Sequence, residues 1–429
     1  GWGPRGPGGI RFDPMSLRHD RSLAAASSAV ALVVIAIPLA APGRELVPGA
    51  AESAPGWIMG VFGDGFGLDP VAYLLLLYAA FVAWLALAAT AGRLGGRTLV
   101  ALIGGLIALF ALAPPLLSLD VFSYISYARL EMEAGLNPYE QAPAAIPRDE
   151  AAMRVEDFRD VVSVYGPLFT LASYPLSAAG VPFALWALKV LAALSIAGIA
   201  WLTARLATLR GVEPRAAAAF VALNPLTLVH LVGGAHNDGL MALLALLGVA
   251  LMLTARPLAG GVALAGGVAI KAAAALPVPF AVLGGRDRGR VLAGLAGAAL
   301  AIAALALVLF GTGALEALSV AGNNQSRVSR WSVPATLSRA SGIDVDLLRT
   351  VLGVAYAVAV VGLLAWVLSG ADWVRAAGWA ALGVLVASAY MVPWYLIWLL
   401  PLAAISRDRA LVAGAVALTL FQVVNAVPV

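Results

Sequence analysis

The chain has 429 residues, 62% of them hydrophobic and 12% charged, with no cysteine and a net charge of +4; its mean hydropathy is +0.93. A soluble domain carries about 25% charged residues, so this composition excludes a soluble globular protein. Continuous apolar runs of spanning length exclude the alternating pattern of an outer-membrane barrel, and the lack of cysteine excludes disulfides, zinc–thiolate sites and a thiol nucleophile.

What remains is an all-α polytopic membrane protein. The modest charge calls for no nucleic-acid partner, because arginines in short loops account for it. Residues 1–14 carry no initiator methionine and are set aside as upstream sequence; 1–21 reads as a cytoplasmic tail and 22–429 as one transmembrane domain. Apolar stretches at 23–41, 70–91, 98–118, 183–204, 216–233, 239–255, 289–311, 347–369, 376–391, 394–406 and 410–428 predict membrane helices. The stretch 258–283 is interrupted by Lys271, Pro277 and Pro279 and predicts two short helices, while 167–180 is short and proline-bounded and dips without crossing. The expectation is a bundle of about thirteen membrane segments with interfacial helices on its outer face.

Arg93/Arg97, Arg205/Arg210/Arg215, Arg286/Arg288/Arg290 and Arg407/Arg409 sit in short connections and predict the cytoplasmic side. The long polar segments 119–165 and 312–346 then share the outer face of a bacterial plasma membrane. Arg148, Arg154 and Arg159 in the first and Arg327, Arg330 and Arg339 in the second run against the positive-inside trend, which points to a bound anion.

The polar run at 120–140 follows directly on an apolar segment. Asp120, Tyr124, Tyr127 and Glu131 are spaced by 4, 3 and 4, with Val121, Ile125, Ala128 and Met132 on the neighbouring stripe. That pattern predicts a helix lying on the membrane surface, apolar side in lipid and polar face toward a cavity, stopped by Gly135 and Asn137-Pro138. Asp120 reads either as a general base for a sugar hydroxyl or as an N-cap. His236-Asn237-Asp238, after Asn224-Pro225 and His230, reads as a sugar-contacting cluster, as a solvated turn, or as a weak metal site of His230, His236 and Asp238. Lys271 either holds a phosphate at the tip of a helical hairpin or snorkels to the interface, and Lys189 reads as a snorkelling residue. Asn323, Asn324, Gln325, Arg327 and Arg330 read either as a donor-rich outer loop suited to phosphate oxygens, with Trp331 beside it as a sugar platform or interface anchor, or as a loop ordered only by its own turn chemistry.

Taken in order, Asp120-Val-Phe-Ser-Tyr124, Gly135-Leu-Asn-Pro-Tyr139, Tyr165-Gly-Pro-Leu168, Asn224-Pro225, His236-Asn-Asp238, Lys271 and Pro393-Trp-Tyr-Leu-Ile-Trp398 resemble the GT-C superfamily of polyprenyl-phosphate-sugar-dependent glycosyltransferases. The resemblance is strongest to the actinobacterial polyprenol-phosphomannose-dependent α-1,6-mannosyltransferases of lipomannan and lipoarabinomannan synthesis, and it spans about 120–400. It implies a GT-C-like bundle, a catalytic carboxylate at Asp120, and a substrate site drawn from Tyr124, Tyr139, Tyr165, His236, Asn237, Asp238, Lys271, Trp394 and Tyr395, to which the reading of the residues themselves adds Tyr127, Asn324, Arg327 and Arg330. It also implies a polyprenyl-phosphate-mannose donor, a glycolipid mannan acceptor, an inverting α-1,6 transfer and no obligatory metal or cofactor, a divalent cation remaining open. The chain departs from the minimal pattern in carrying two apolar segments, 23–41 and 70–91, before the one that precedes Asp120; a shifted register would move the base to Glu131, Glu133, Asp157 or Asp160. An arabinofuranosyl- or other hexosyltransferase fits the same scaffold. A lipid-linked-sugar flippase or transporter is the competing class, and paired broken helices in two repeated halves would favour it.

Overall fold

The protein is described by a computed structural model covering residues 14–49, 55–314, 327–330 and 332–427, in which all regular structure is helical. Five helices are long and apolar enough to cross a membrane: 20–40 of Pro14–Ala40, Pro70–Arg93, Val181–Leu209, Arg288–Phe310 and Val345–Leu368. A sixth crossing results if Pro214–Ala222 and Thr227–Gly233, bent by 60° at their junction, count as one. The remaining expected spans are shorter apolar helices of 10–17 residues, including Gly96–Ala111, Asp238–Leu253, Trp373–Ala387 and Arg409–Val424. Full-length helices therefore do not by themselves reach the expected thirteen segments.

The shortfall comes from helix breaks with identifiable causes. The segment expected over 98–118 leaves the helix at Ala111, because Pro114 and Pro115 disfavour helical backbone before them. The span expected over 216–233 breaks at Asn224-Pro225, where the Asn224 side-chain oxygen accepts from the amides of Leu226 (3.0 Å) and Thr227 (3.4 Å) and starts a π-helical turn, Thr227–Gly233. The stretch 258–283 is divided as expected into Pro257–Val268, a 3₁₀ turn Ala272–Ala275 and Val278–Gly284. Pro167–Ser177 has 11 residues and is too short to cross, also as expected. The segment around 394–406 becomes a 3₁₀ helix, Pro393–Trp398, followed by Leu400–Ile405.

These unwound stretches converge. Gly166 and Leu168 donate to the carbonyls of Ile270 (3.0 Å) and Ala269 (3.1 Å), and Leu116 donates to Gly233 (3.2 Å). Non-helical backbone at membrane depth survives where it is buried in protein or lines a cavity, and here it does both. Gly166 is required at one crossing, since a Cβ there would lie 2.1 Å from the Ala269 carbonyl oxygen.

The helix Asp120–Ala134 forms and stops as expected, with Gly135 left-handed (φ 64°) and donating to the Glu131 carbonyl. Its setting differs from the expectation of one face in lipid. Val121 to Ala128 and Leu130 are buried, so the apolar stripe of Val121, Ile125 and Ala128 faces protein, and only the end around Met132 is exposed. The Pro167–Ser177 and Val181–Leu209 helices and the 143–154 turns cover it.

Pro257–Val268 packs backbone to backbone on Arg288–Phe310. A Cβ on Gly261 would meet the Val291 carbonyl oxygen at 2.3 Å, and one on Gly294 the Leu258 carbonyl oxygen at 2.1 Å, the close approach that small residues permit between membrane helices. Because backbone cannot rotate away, Gly294→Ala is expected to destabilise the protein by roughly 1–3 kcal/mol. Gly297, with open space around its Cβ position, should accept alanine without loss. Melting of the two purified variants checks this, and equal melting temperatures would refute the close-packing account.

Candidate active site

A cavity of about 450 Å³ opens where the broken segments meet, lined by Asp120, Tyr127, Phe158, Tyr165, Lys271, Tyr390, Trp394, Tyr395 and Trp398 among others. Asp120 is the first residue of its helix, yet its carboxylate does not cap it: the preceding Leu119 holds the cap position without a side-chain bond. The Ser118 hydroxyl instead accepts from the Asp120 amide at 3.2 Å. The carboxylate is left to face the cavity, 21% exposed, with Oδ2 3.4 Å from His236 Nδ1. Glu131 and Glu133 sit at the exposed end of the helix, and Asp157 and Asp160 are exposed; Asp120 is the acid among the residues lining the cavity.

His236 is fully buried and held from two sides. Its ring stacks on Trp394 at 3.6 Å between centroids and 16° between planes, and Nδ1 also lies 3.4 Å from the Tyr124 hydroxyl. Its Nε2 has no hydrogen-bond partner. Tyr124 packs edge-on against Tyr165 (4.8 Å) and Phe169 (5.1 Å). The Tyr127 hydroxyl donates to the Val161 carbonyl at 2.8 Å. Burial, reinforced by the neighbouring Asp120 carboxylate, raises Tyr124 and Tyr127 above the ordinary phenol value. At neutral pH both phenols therefore stay protonated.

Lys271 does not snorkel. It sits in extended backbone (φ −158°) before the Ala272–Ala275 turn, where its ammonium donates to Asp238 Oδ2 at 2.7 Å and lies 4.9 Å above the Tyr395 ring. Asp238 is fully buried and takes a second bond at 2.9 Å from the Trp398 indole N–H. Tyr395 and Trp398 stack at 4.1 Å. The His236-Asn237-Asp238 segment is therefore no solvated turn, since all three residues are buried. A metal site of His230, His236 and Asp238 does not assemble, because Asp238 turns to Lys271 and Trp398 while His236 turns to Asp120. Among the described residues no group of three or more His, Asp or Glu is placed to hold a metal ion.

Arg327 lies at the cavity rim, its guanidinium 4.8 Å over Phe158. Its segment is tied to the cavity wall where the Ser329 amide donates to the Ala389 carbonyl (2.8 Å) and the Ser329 hydroxyl to that of Met391 (2.6 Å). Arg330 is exposed and its carbonyl accepts from Arg339. Asn323, Asn324, Gln325 and Trp331 lie outside the described residues. Tyr139 is not part of the cavity wall: its hydroxyl bonds to the Tyr165 carbonyl (2.9 Å) and Thr170 (3.0 Å), and burial pushes it up to about 12. Arg154 is also drawn into the fold, its guanidinium 5.7 Å from both the Trp57 and Phe122 rings and bonded to the Gly49 carbonyl. Trp398, Tyr390 and Phe158 were not among the residues expected in the site; Trp398 was legible as the partner of Trp394 four positions back, the others had no local signal.

A carboxylate with a histidine behind it, a lysine across the cavity and stacked aromatic walls between broken apolar helices are the equipment of a membrane-embedded group-transfer enzyme. Residues 26–284 match the family model described as alpha-(1->6)-mannopyranosyltransferase, N-terminal domain. The match covers more than half of the chain and contains Asp120, His236 to Asp238 and Lys271, so the chain belongs to the alpha-(1->6)-mannopyranosyltransferase family, a family of glycosyltransferases. It is 29% identical over 395 residues to alpha-(1->6)-mannopyranosyltransferase A of Mycobacterium tuberculosis, covering 82% of this chain and 75% of that protein. It is 31% identical over 189 residues to alpha-(1->6)-mannopyranosyltransferase A of Corynebacterium glutamicum, covering 43% of this chain but 38% of that protein's length. No solved structure matches the chain significantly.

Removing one partner of a buried ion pair strands the other charge, at roughly 3–5 kcal/mol. Lys271→Met should accordingly lower thermal stability through the stranded Asp238. The double variant Lys271→Met/Asp238→Asn should recover part of that loss, as read from melting of the purified protein. Additive losses in the double variant would mean that the two groups do not stabilise each other.

Proposed function

We propose that this protein transfers mannose from a polyprenyl-phosphate-mannose donor to a glycolipid mannan acceptor at the outer face of a bacterial plasma membrane, inverting the anomeric centre and forming an α-1,6 linkage. Membership of the alpha-(1->6)-mannopyranosyltransferase family supports the sugar and the linkage. The shorter apolar helices, added to the full-length ones, support a GT-C-like bundle of about thirteen membrane segments. The arginines of the short connections support the orientation.

The observation that carries the chemistry is the uncapped Asp120 carboxylate at the cavity wall with His236 behind it. Asp120 takes the proton of the attacking acceptor hydroxyl, and the His236 ring, with Nδ1 3.4 Å from Oδ2, steadies the carboxylate. The acceptor oxygen attacks the anomeric carbon from the face opposite the lipid phosphate, so one displacement inverts the centre. The phosphate leaves as an anion and needs no acid partner, in contrast to the alcohol leaving group of a glycosidase. Cationic stabilisation of that anion strengthens as charge develops.

The cation assignment changes with the geometry. Lys271 was expected to hold the donor phosphate or to snorkel; its pairing with Asp238 makes it a half-neutralised charge. Arg327, stacked on Phe158 and anchored through Ser329, is the better phosphate group, with forked donors suited to phosphate oxygens. The aromatic walls of Trp394, Tyr395 and Trp398 offer faces for the sugar.

A transfer assay in membranes with a panel of polyprenyl-phosphate sugars tests the reading: mannose should move, and arabinofuranose or glucose should not. Asp120→Asn should lower turnover by about 10²–10⁴-fold with donor binding near normal. Wild-type turnover in this variant would remove Asp120 from the base role.

A further inference from the structure

Lys189 lies inside the Val181–Leu209 span and was expected to snorkel toward water. Instead its side chain is fully buried, and its ammonium donates to three backbone carbonyls: Gly233 at 2.6 Å, Pro114 at 3.3 Å and Val232 at 3.5 Å. These carbonyls belong to two different broken segments. Pro114 lies six residues before Asp120, and Gly233 three residues before His236. The Gly233 oxygen also accepts from the Leu116 amide at 3.2 Å, so the same atom joins both segments to Lys189.

Both segments carry backbone that is unfavourable for their residues. Leu117 has φ 56° and Ala235 φ 58°, two non-glycine residues in the left-handed region, one on the approach to Asp120 and one beside His236. Such conformations persist where the surroundings over-determine them, and a cation buried at membrane depth is retained for a task rather than for packing. We infer that Lys189 is a positioning residue for the transfer reaction: it clips the strained turn before Asp120 to the strained turn before His236 and so sets the distance between base and histidine. Lys189 is not among the residues lining the cavity of about 450 Å³ and acts through the backbone.

The effect on turnover rests on the proposed transferase reading; a second measurement does not. Displacing reacting groups by about 1 Å costs on the order of 10²-fold, so Lys189→Met should lower kcat by about that factor with donor KM within about threefold of wild type. Independently of any activity, Asn237→Cys in this cysteine-free chain reports whether the turn is held, since residue 237 is 5% exposed. Its reaction with N-ethylmaleimide should be at least about tenfold faster in the Lys189→Met background, because loss of the clip raises local opening. Ala377→Cys, fully buried in the Trp373–Ala387 helix, should stay equally protected in both backgrounds. If Lys189→Met does not accumulate as folded protein, Lys189→Gln, with a shorter side chain and fewer reachable carbonyls, is read on the same two scales. A folded variant at 189 with wild-type kcat, or unchanged protection at 237, overturns the inference. Equal loss of protection at 237 and 377 overturns it too, by making Lys189 a general stabiliser. Failure of mannose transfer by the wild-type chain, with the protection result as expected, would sink the reaction and leave the clip standing.

Discussion

A carbonyl or amide left without a partner at membrane depth costs several kilocalories per mole, and this fold leaves the regular α-helix at 112–119, 223–224 and 227–237, 269–277 and 388–399. Each departure is closed by a partner from another part of the chain. Lys189 serves the first two, the amides of Gly166 and Leu168 serve the third, and Ser329 serves the fourth by bonding Met391. The first two are also joined directly, the Leu116 amide donating to the Gly233 carbonyl. The polar cavity lies among these segments and the helices that follow them.

The site inherits its charge arrangement from this constraint. Asp120 and Asp238 each open a helix that follows a broken segment, and their surroundings differ. Asp238 is fully buried, bound by Lys271 and Trp398, and committed to structure. Asp120 has a partly exposed carboxylate with the His236 ring beside it. Two carboxylates thus acquire two roles from environment, the buried one holding a wall and the accessible one available to a hydroxyl. Neutral tyrosines around Asp120 complete the contrast, since burial keeps their hydroxyls protonated.

The corrections follow the same logic. A lysine in an apolar helix reads as a snorkelling residue when its distance from the helix end is the only information. Lys189 is instead bound where two non-local segments present carbonyls to it, a coincidence with no signature in local sequence. Lys271 read as a phosphate holder or a snorkelling residue because its partner Asp238 is 33 residues away. Tyr139 shares the polar run with Tyr124 and Tyr127 but points to Tyr165 and Thr170, away from the cavity.

The amino-acid sequence by itself determined that the chain is helical and membrane-bound, that 258–283 is broken in its middle, and that Asp120 opens a polar helix stopped at Gly135. Those properties depend on local matters: apolar run length, proline sterics, glycine's left-handed backbone and the high cost of charge in lipid. It also carried the ordered motifs by which the family was recognisable. Only the tertiary structure decided which charges pair, that His236 stands behind Asp120 on a Trp394 platform, that the first site helix is sheathed in protein rather than lipid, and that Lys189 binds the backbone of the site. Those facts are contacts between residues tens to hundreds of positions apart, and no periodicity or composition encodes a distance across the fold.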